Sequence, residues 1–179
     1  MNIAILAGGN RAHSTSTMLC RYIEKLLRER GCDTELFDLY RRPVPLFTAD
    51  NRNPDDSNLA ALKEAALRAD AFVLATPDYH GSVSGVLKNA LDHLGFDHFD
   101  GKVVLSVCSS GGAVGISPLQ HMQVIVRTLH GINCPEWVSI GGDNRTFDAD
   151  GEPVSPMVKE RAVRAVDYFL RMASALRKN

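Results

Sequence analysis

The sequence is poor in the features that define several protein classes. It has four cysteines without a C-x-x-C pair, a single tryptophan, and no apolar run near the roughly 20 residues that span a bilayer. Its 20 Lys and Arg residues nearly balance its 21 Asp and Glu residues, which leaves a formal net charge of −1. Without a basic stripe, nucleic-acid binding has no electrostatic support.

The spacing of the cysteines indicates a reducing compartment. Cys20, Cys32, Cys108 and Cys134 lie far apart, so we expect buried, reduced thiols rather than a disulfide or a metal site. No basic segment precedes the first apolar run, which begins at Asn2, so no secretion signal is predicted. The interpretation is a cytoplasmic protein with one domain over its 179 residues.

Several catalytic motifs are also missing. The chain contains no G-x-S-x-G nucleophile elbow, no G-x-G-x-x-G fingerprint and no G-x-x-x-x-G-K-[ST] loop. Its histidines show no metal-ligand spacing. These absences argue against hydrolase, dinucleotide-fingerprint, P-loop and zinc chemistry.

What the sequence does contain is a regular alternation of short apolar runs and amphipathic segments. The predicted strands are residues 3–7, 34–39, 71–76, 103–108 and 134–140. The predicted helices are residues 16–30, 57–68 and 84–94, a fourth opened by Ser117-Pro118 and ended by Gly131, and a fifth opened by Ser155-Pro156. This order predicts a parallel, doubly wound sheet with helices on both faces, for which the strand order 2-1-3-4-5 fits best.

The loop after the first strand has the chemistry of an anion site. Gly9 lets the backbone approach closely, Arg11 offers a guanidinium, and Ser14, Thr15 and Ser16 lead into a helix whose N-terminus favours negative charge. An ordinary helix cap with a surface arginine remains an alternative for this segment.

Two further loops follow the third and fourth predicted strands at the same edge of the sheet. One is punctuated by proline and glycine and carries an aromatic side chain: Pro77, Asp78, Tyr79, His80, Gly81 and Ser82. The other is small and flexible: Ser109, Ser110, Gly111, Gly112 and Ala113. Each alone is compatible with a plain surface turn. Together with the first loop they predict a mononucleotide lying across the switch point of the sheet.

The first two loops resemble motifs of the NAD(P)H-dependent FMN reductases, a flavodoxin-like family that includes azoreductases, quinone reductases and chromate reductases. The family's first loop reads roughly G-S-x-R-x-x-S, and residues 8–14 here read G-G-N-R-A-H-S. Its second reads P-E-Y-[NH]-x-S-x-x-G-x-L-K-N-A-[LI]-D, and residues 77–92 read P-D-Y-H-G-S-V-S-G-V-L-K-N-A-L-D. The resemblance extends over essentially the whole chain.

This resemblance implies a flavodoxin-like, doubly wound five-stranded parallel sheet that binds FMN and uses NAD(P)H as co-substrate. It places the FMN phosphate at Arg11, Ser14, Thr15 and Ser16, the isoalloxazine along residues 77–82, and Ser110, Gly111 and Gly112 on the other side of the ring. Hydride would pass from the nicotinamide to FMN and then, by ping-pong turnover, to a quinone, azo compound or flavin, without a side-chain proton donor. Two positions depart from the family: Gly9 replaces a serine and Asp78 a glutamate.

Other functions and contacts stay open at this point. A flavodoxin-type electron carrier is one alternative, although such carriers are usually strongly acidic, and a nucleotide-binding regulatory protein is another. The resemblance also implies a homodimer or homotetramer, in which Lys88, Asp92 and His93 either pair across an interface or form a solvated face. The long loops at residues 40–56 and 141–154 are interpreted as lids, subunit contacts or plain surface.

Overall fold

The protein forms a five-stranded parallel sheet in the order β2-β1-β3-β4-β5, which confirms the predicted topology. The computed structural model describes residues 1–177. Its strands are β1 (Asn2–Ala7), β2 (Asp33–Asp38), β3 (Ala71–Pro77), β4 (Val103–Ser110) and β5 (Ile132–Gly141). Its helices are α1 (Thr15–Glu29), α2 (Ser57–Arg68), α3 (Gly85–Asp92), α4 (Phe96–Phe99), α5 (Ile116–Thr128) and α6 (Pro156–Leu176).

Helices cover both faces of the sheet, and each face has its own apolar core. One core joins α1 and α6 to the sheet through side chains such as Ile23 and Phe169. The other core packs the four helices α2, α3, α4 and α5 against the opposite face through side chains such as Leu62, Leu87 and Met122. The central strands are buried on both sides, which explains why β1, β3 and β4 read as nearly continuous apolar runs. None of the helices within residues 1–177 combines the length and hydropathy needed to cross a membrane.

Most predicted elements differ from the observed ones by one or two residues at an end, and one observed helix, α4, was not predicted. The fourth long helix, α5, begins at Ile116 after the N-cap Gly115, not at Ser117, and Pro118 is tolerated in its first turn because amides there have no intrahelical partner. The strand β4 continues to Ser110. The helix α4 was not predicted, because a four-residue segment carries no readable periodicity; its Phe99 is fully buried and stacks on Phe72 with ring centroids 4.3 Å apart.

The exposed side of α3 carries a solvated charged pair, as one interpretation of its sequence proposed, whereas His93 in the following turn is buried. Lys88 pairs with Asp92 on the same helix at 2.7 Å. His93 is 6% exposed and donates from Nε2 to the carbonyl of Pro45 at 2.9 Å. Asn89 also binds this segment, because its amide donates to the Pro45 carbonyl at 2.9 Å and its oxygen accepts from the Phe47 amide at 2.8 Å. The loop between β2 and α2 is therefore fastened to α3.

The loop between β5 and α6 is fastened by an ion-pair cluster. Glu152 contacts Lys25 of α1 and, at 2.7 Å, Lys159 of α6. Hydrogen bonds to Lys159, the larger cause, and to Lys25 lower the pKa of Glu152 to about 2. The same hydrogen bonds raise the pKa of both lysines. The Glu152 carboxylate thus holds the loop between β5 and α6 against α1 and α6, which cover the same face of the sheet.

We expect the contribution of Glu152 to stability to depend on pH. Since folding lowers its pKa, the carboxylate stabilises the fold above the ordinary carboxyl pKa, and this contribution is lost as the pH falls through about 2. Glu152→Gln should therefore lower the melting temperature at neutral pH and lose its effect in acid. Thermal unfolding between neutral pH and pH 2 measures this.

The matched control is Glu160→Gln. Glu160 is exposed on α6 and makes no ion pair with any residue in 1–177, so its variant should change the melting temperature less at neutral pH. Equal effects of the two variants would contradict a role for the Glu152 cluster.

Candidate functional site

The candidate site lies at the carboxyl edge of the sheet between β1 and β3. These strands are neighbours, but the chain leaves β1 for a helix on one face and β3 for a helix on the other. Such a switch point opens a crevice where ligands bind in doubly wound sheets. The loops that follow β1, β3 and β4 meet there, as the sequence predicted.

The first two loops cross at Gly8, and Ser84 fastens them together. The Gly8 amide donates to the Ala75 carbonyl at 2.8 Å, and its carbonyl accepts the Ser84 hydroxyl at 2.7 Å. A Cβ on Gly8 would lie 2.7 Å from Leu87 Cβ, so only glycine allows this approach. The Ser84 hydroxyl also caps α3 by accepting from the Leu87 amide, and its amide donates to Thr76 Oγ1 at 2.8 Å.

A cradle of hydroxyl groups surrounds the start of α1. Ser14 is the N-cap, but its hydroxyl bonds to Ser16 Oγ at 2.9 Å instead of capping the helix, which leaves the first amides of α1 free of a side-chain acceptor. Thr17 Oγ1 is buried and has no hydrogen-bond partner among residues 1–177. A Cβ on Gly9 would approach both Ser14 Oγ and Thr17 Oγ1 to 2.6 Å. The cradle thus offers only donors and hydroxyls, with no acidic residue in the first turn of the helix.

The second loop is a tight turn with an exposed tip. Tyr79 and Ser82 exchange two backbone hydrogen bonds of 3.2 Å, while His80 and Gly81 adopt φ of 54° and 74°. Two successive positive φ values define a type I′ turn. His80 is a non-glycine residue in this conformation, and its imidazole is exposed rather than paired with a base or carboxylate.

Asp78 stabilises the conformation of the second loop through hydrogen bonds. Its Oδ1 accepts the Gly81 amide at 2.9 Å, and its Oδ2 accepts the Ser110 hydroxyl at 3.1 Å. Its own amide donates to the Ser109 carbonyl at 2.8 Å. The carboxylate therefore joins the second loop to the third, which explains how the shorter aspartate is accommodated at this position.

The third loop begins later than predicted. Ser109 and Ser110 are the last residues of β4, since the ladder to β5 extends to Gly141, and of the predicted residues Gly111, Gly112 and Ala113 lie in the exposed loop. Ser109 nevertheless takes part in the site, because its Oγ lies 2.7 Å from Thr15 Oγ1 at the start of α1.

Gly141 at the end of β5 lets the third loop pass close by. A Cβ there would come within 2.1 Å of the Gly112 carbonyl oxygen.

Three contacts at the site were not anticipated. Tyr79 is 37% exposed and donates its hydroxyl to Asn10 Oδ1 at 2.6 Å, so its ring bridges the first two loops. Ser82 Oγ lies 3.0 Å from His121 Nδ1 on α5. Ser84 was predicted only as a helix start. The partners Asn10 and His121, and the role of Ser84 between the loops, are identified only by their positions in space. Nothing in their sequence spacing distinguishes them from surface or capping residues.

The thiols contribute no nucleophile. Burial, reinforced by the Asp78 carboxylate, raises the pKa of Cys108 to about 12. Burial is also the main cause that raises the pKa of Cys20, Cys32 and Cys134. All four are free, but Cys32 is only half-buried, which corrects the expectation that every thiol is buried.

A family model described as NADPH-dependent FMN reductase matches residues 1–145. The chain belongs to this family. An FMN-dependent NADPH-azoreductase of Staphylococcus aureus is 38% identical over 151 residues, which cover 82% of this chain and 80% of that protein. The chain is thus an oxidoreductase that uses FMN and NAD(P)H, and the predicted family is confirmed.

Solved structures agree on the fold. The NAD(P)H:acceptor oxidoreductase FerB of Paracoccus denitrificans superimposes with a TM-score of 0.84 at 21% identity and covers 99% of both chains. An NADH:FMN oxidoreductase, EmoB, gives a TM-score of 0.78 at 17% identity over 99% of this chain and 91% of its own. Both confirm the flavodoxin-like architecture.

The residues present suit FMN. The orphaned Thr17 hydroxyl and the free amides at the start of α1 are donors suited to a phosphate. The carboxylate of Asp78 accepts from the Gly81 amide and the Ser110 hydroxyl in the second and third loops, and the first turn of α1 carries no acidic residue.

The close packing around Gly9 generates a prediction. Gly9→Ala should lower the free energy of unfolding by about 1–3 kcal/mol, because the added methyl overlaps Ser14 and Thr17. Chemical denaturation measures the change. Gly85→Ala is the control, since a Cβ on this exposed glycine meets nothing within 4 Å; it should change stability by less than about 0.5 kcal/mol. Equal stability of the two variants would contradict the packing described for the first loop.

Proposed function

We propose that FMN lies across the crevice with its phosphate on the first loop. Gly9, Arg11, Ser14, Thr15 and Ser16 are the proposed phosphate residues, with the Gly9 contribution made by its amide. The observation that carries this assignment is the start of α1, where free helix amides and an unpartnered buried hydroxyl converge and the first turn holds no acidic residue.

The other two loops are proposed to hold the flavin ring. The type I′ turn has an exposed tip at His80, and the Tyr79 hydroxyl joins it to Asn10 of the first loop. Ser109 and Ser110 fix the far side by bonding to Thr15 and Asp78, so that Gly111 and Gly112 can pass close to a flat ring. The proposed ring residues are Pro77, Asp78, Tyr79, His80, Gly81, Ser82, Ser109, Ser110, Gly111 and Gly112.

The proposed reaction is ping-pong transfer of reducing equivalents to a small acceptor. Held by the three loops, FMN would supply the redox chemistry, namely hydride transfer from NAD(P)H and then to a quinone, azo compound or flavin. The protein orients the two ligands in turn and presents backbone donors where negative charge develops on the ring. The S. aureus relative, named an NADPH-azoreductase, supports the azo class of acceptor.

We further propose a cytoplasmic homodimer or homotetramer. The free thiols support a reducing compartment. Val114 and Ile116, which are 56% and 48% exposed beside the third loop, offer apolar surface for a second subunit near the site.

The visible spectrum of the purified protein, before and after addition of FMN and then of anaerobic NADPH, tests the function. We expect a yellow protein that bleaches with NADPH and regains its colour with a quinone or azo dye. Double-reciprocal plots at several acceptor concentrations should be parallel. A yellow protein that ignores both NADPH and NADH would instead indicate an electron carrier, and one that refuses FMN would contradict the site.

Arg11→Ala tests the phosphate end of the site. Loss of one charge-assisted contact should raise the dissociation constant for FMN about tenfold, measured by quenching of flavin fluorescence. Arg127→Ala removes an exposed arginine from the last turn of α5 and serves as the control. Unchanged FMN affinity in Arg11→Ala would rule out its phosphate role.

A further inference from the structure

A second cavity opens beside the first loop, on the side away from β3 and β4. Its volume is about 250 Å³. It lies between the first loop, the first two turns of α1 and the segment that follows β2. Its charged lining consists of Arg11, Arg21, Arg41 and Asp38.

The charges of this cavity are unbalanced in favour of an anion. Three guanidinium groups face one carboxylate, a formal excess of two positive charges. Arg21 approaches Asp38 only to 3.4 Å and Arg41 only to 3.9 Å, with side chains 49% and 74% exposed. Since a guanidinium carries five N–H donors, most of the donors of both residues remain open to a ligand.

The Asp38 carboxylate itself is committed to the protein. It is 10% exposed, accepts the Tyr40 amide at 3.2 Å, and lies against both arginines. A free carboxylate can accept a hydrogen bond from a ribose hydroxyl, whereas guanidinium groups donate to the oxygens of a phosphate. Asp38 already accepts from the Tyr40 amide and contacts Arg21 and Arg41, and three arginines line the cavity against this one carboxylate. This lining favours a phosphate over a ribose hydroxyl.

We propose that this cavity binds the 2′-phosphate of NADPH, with Arg21 and Arg41 as the residues that distinguish NADPH from NADH. The inference rests on the proposed function, because the nicotinamide must reach the flavin ring while the adenosine end extends past the first loop. Arg11, at the border of the two sites, is left out of the test so that FMN binding is not disturbed.

The kinetic test compares the FMN-loaded wild type with Arg21→Ala and Arg41→Ala. Each substitution should lower the ratio of kcat/KM for NADPH to kcat/KM for NADH about tenfold, as expected for loss of one charge-assisted contact to the phosphate. Arg127→Ala should leave the ratio unchanged. An unchanged ratio in both cavity variants would overturn the proposal.

A binding test separates this inference from the proposed function. Titration of the FMN-loaded wild type with 2′,5′-ADP, 5′-ADP and 5′-AMP should show 2′,5′-ADP binding at least about tenfold more tightly than either. Arg21→Ala should reduce this difference about tenfold, and the double variant Arg21→Ala/Arg41→Ala should abolish it. Equal affinity for 2′,5′-ADP and 5′-ADP would assign the arginines to a diphosphate and overturn the proposal. If neither nicotinamide nucleotide reduces the flavin, the proposed function fails, yet this titration still decides whether the cavity recognises a 2′-phosphate.

Discussion

The site depends on one hydrogen bond, from the Ser84 hydroxyl to the carbonyl of Gly8. It joins the loops that leave neighbouring strands for opposite faces of the sheet, while the same oxygen caps α3. Because Ser84 is 1% exposed, this bond forms in a dry environment, where losing it would leave buried polar groups unpaired. The phosphate cradle and the ring-binding turn therefore hold fixed positions relative to each other.

The architecture was largely predictable because local and global signals agree. The alternation of apolar runs with amphipathic segments predicts a parallel sheet, and the apolar side of α1, which includes Ile23 and Leu27, packs into one core. The three loops could be predicted as a single site because parallel strands bring their carboxyl ends to one edge. The family motif at residues 77–92 then distinguishes a flavin from other mononucleotides.

Features that depend on packing were not predictable. The four residues of α4 become helical because Phe99 stacks on Phe72, a contact between distant parts of the chain. His93 resembles a surface residue until the Pro45 carbonyl is placed beside it. Gly9 looks like a loss of a phosphate ligand in the sequence, whereas the structure shows that Ser14 and Thr17 fill the space a side chain would need. The arginine cavity likewise requires the end of β2 to lie beside α1.

The comparison of FMN with riboflavin, titrated against the protein by flavin fluorescence, tests the placement of the phosphate most directly. The two ligands share the ring and ribityl chain and differ only in the phosphate. If the start of α1 holds that phosphate, FMN should bind at least about 100-fold more tightly than riboflavin, because riboflavin cannot form the several charge-assisted hydrogen bonds that the phosphate accepts. Equal affinity would contradict the account.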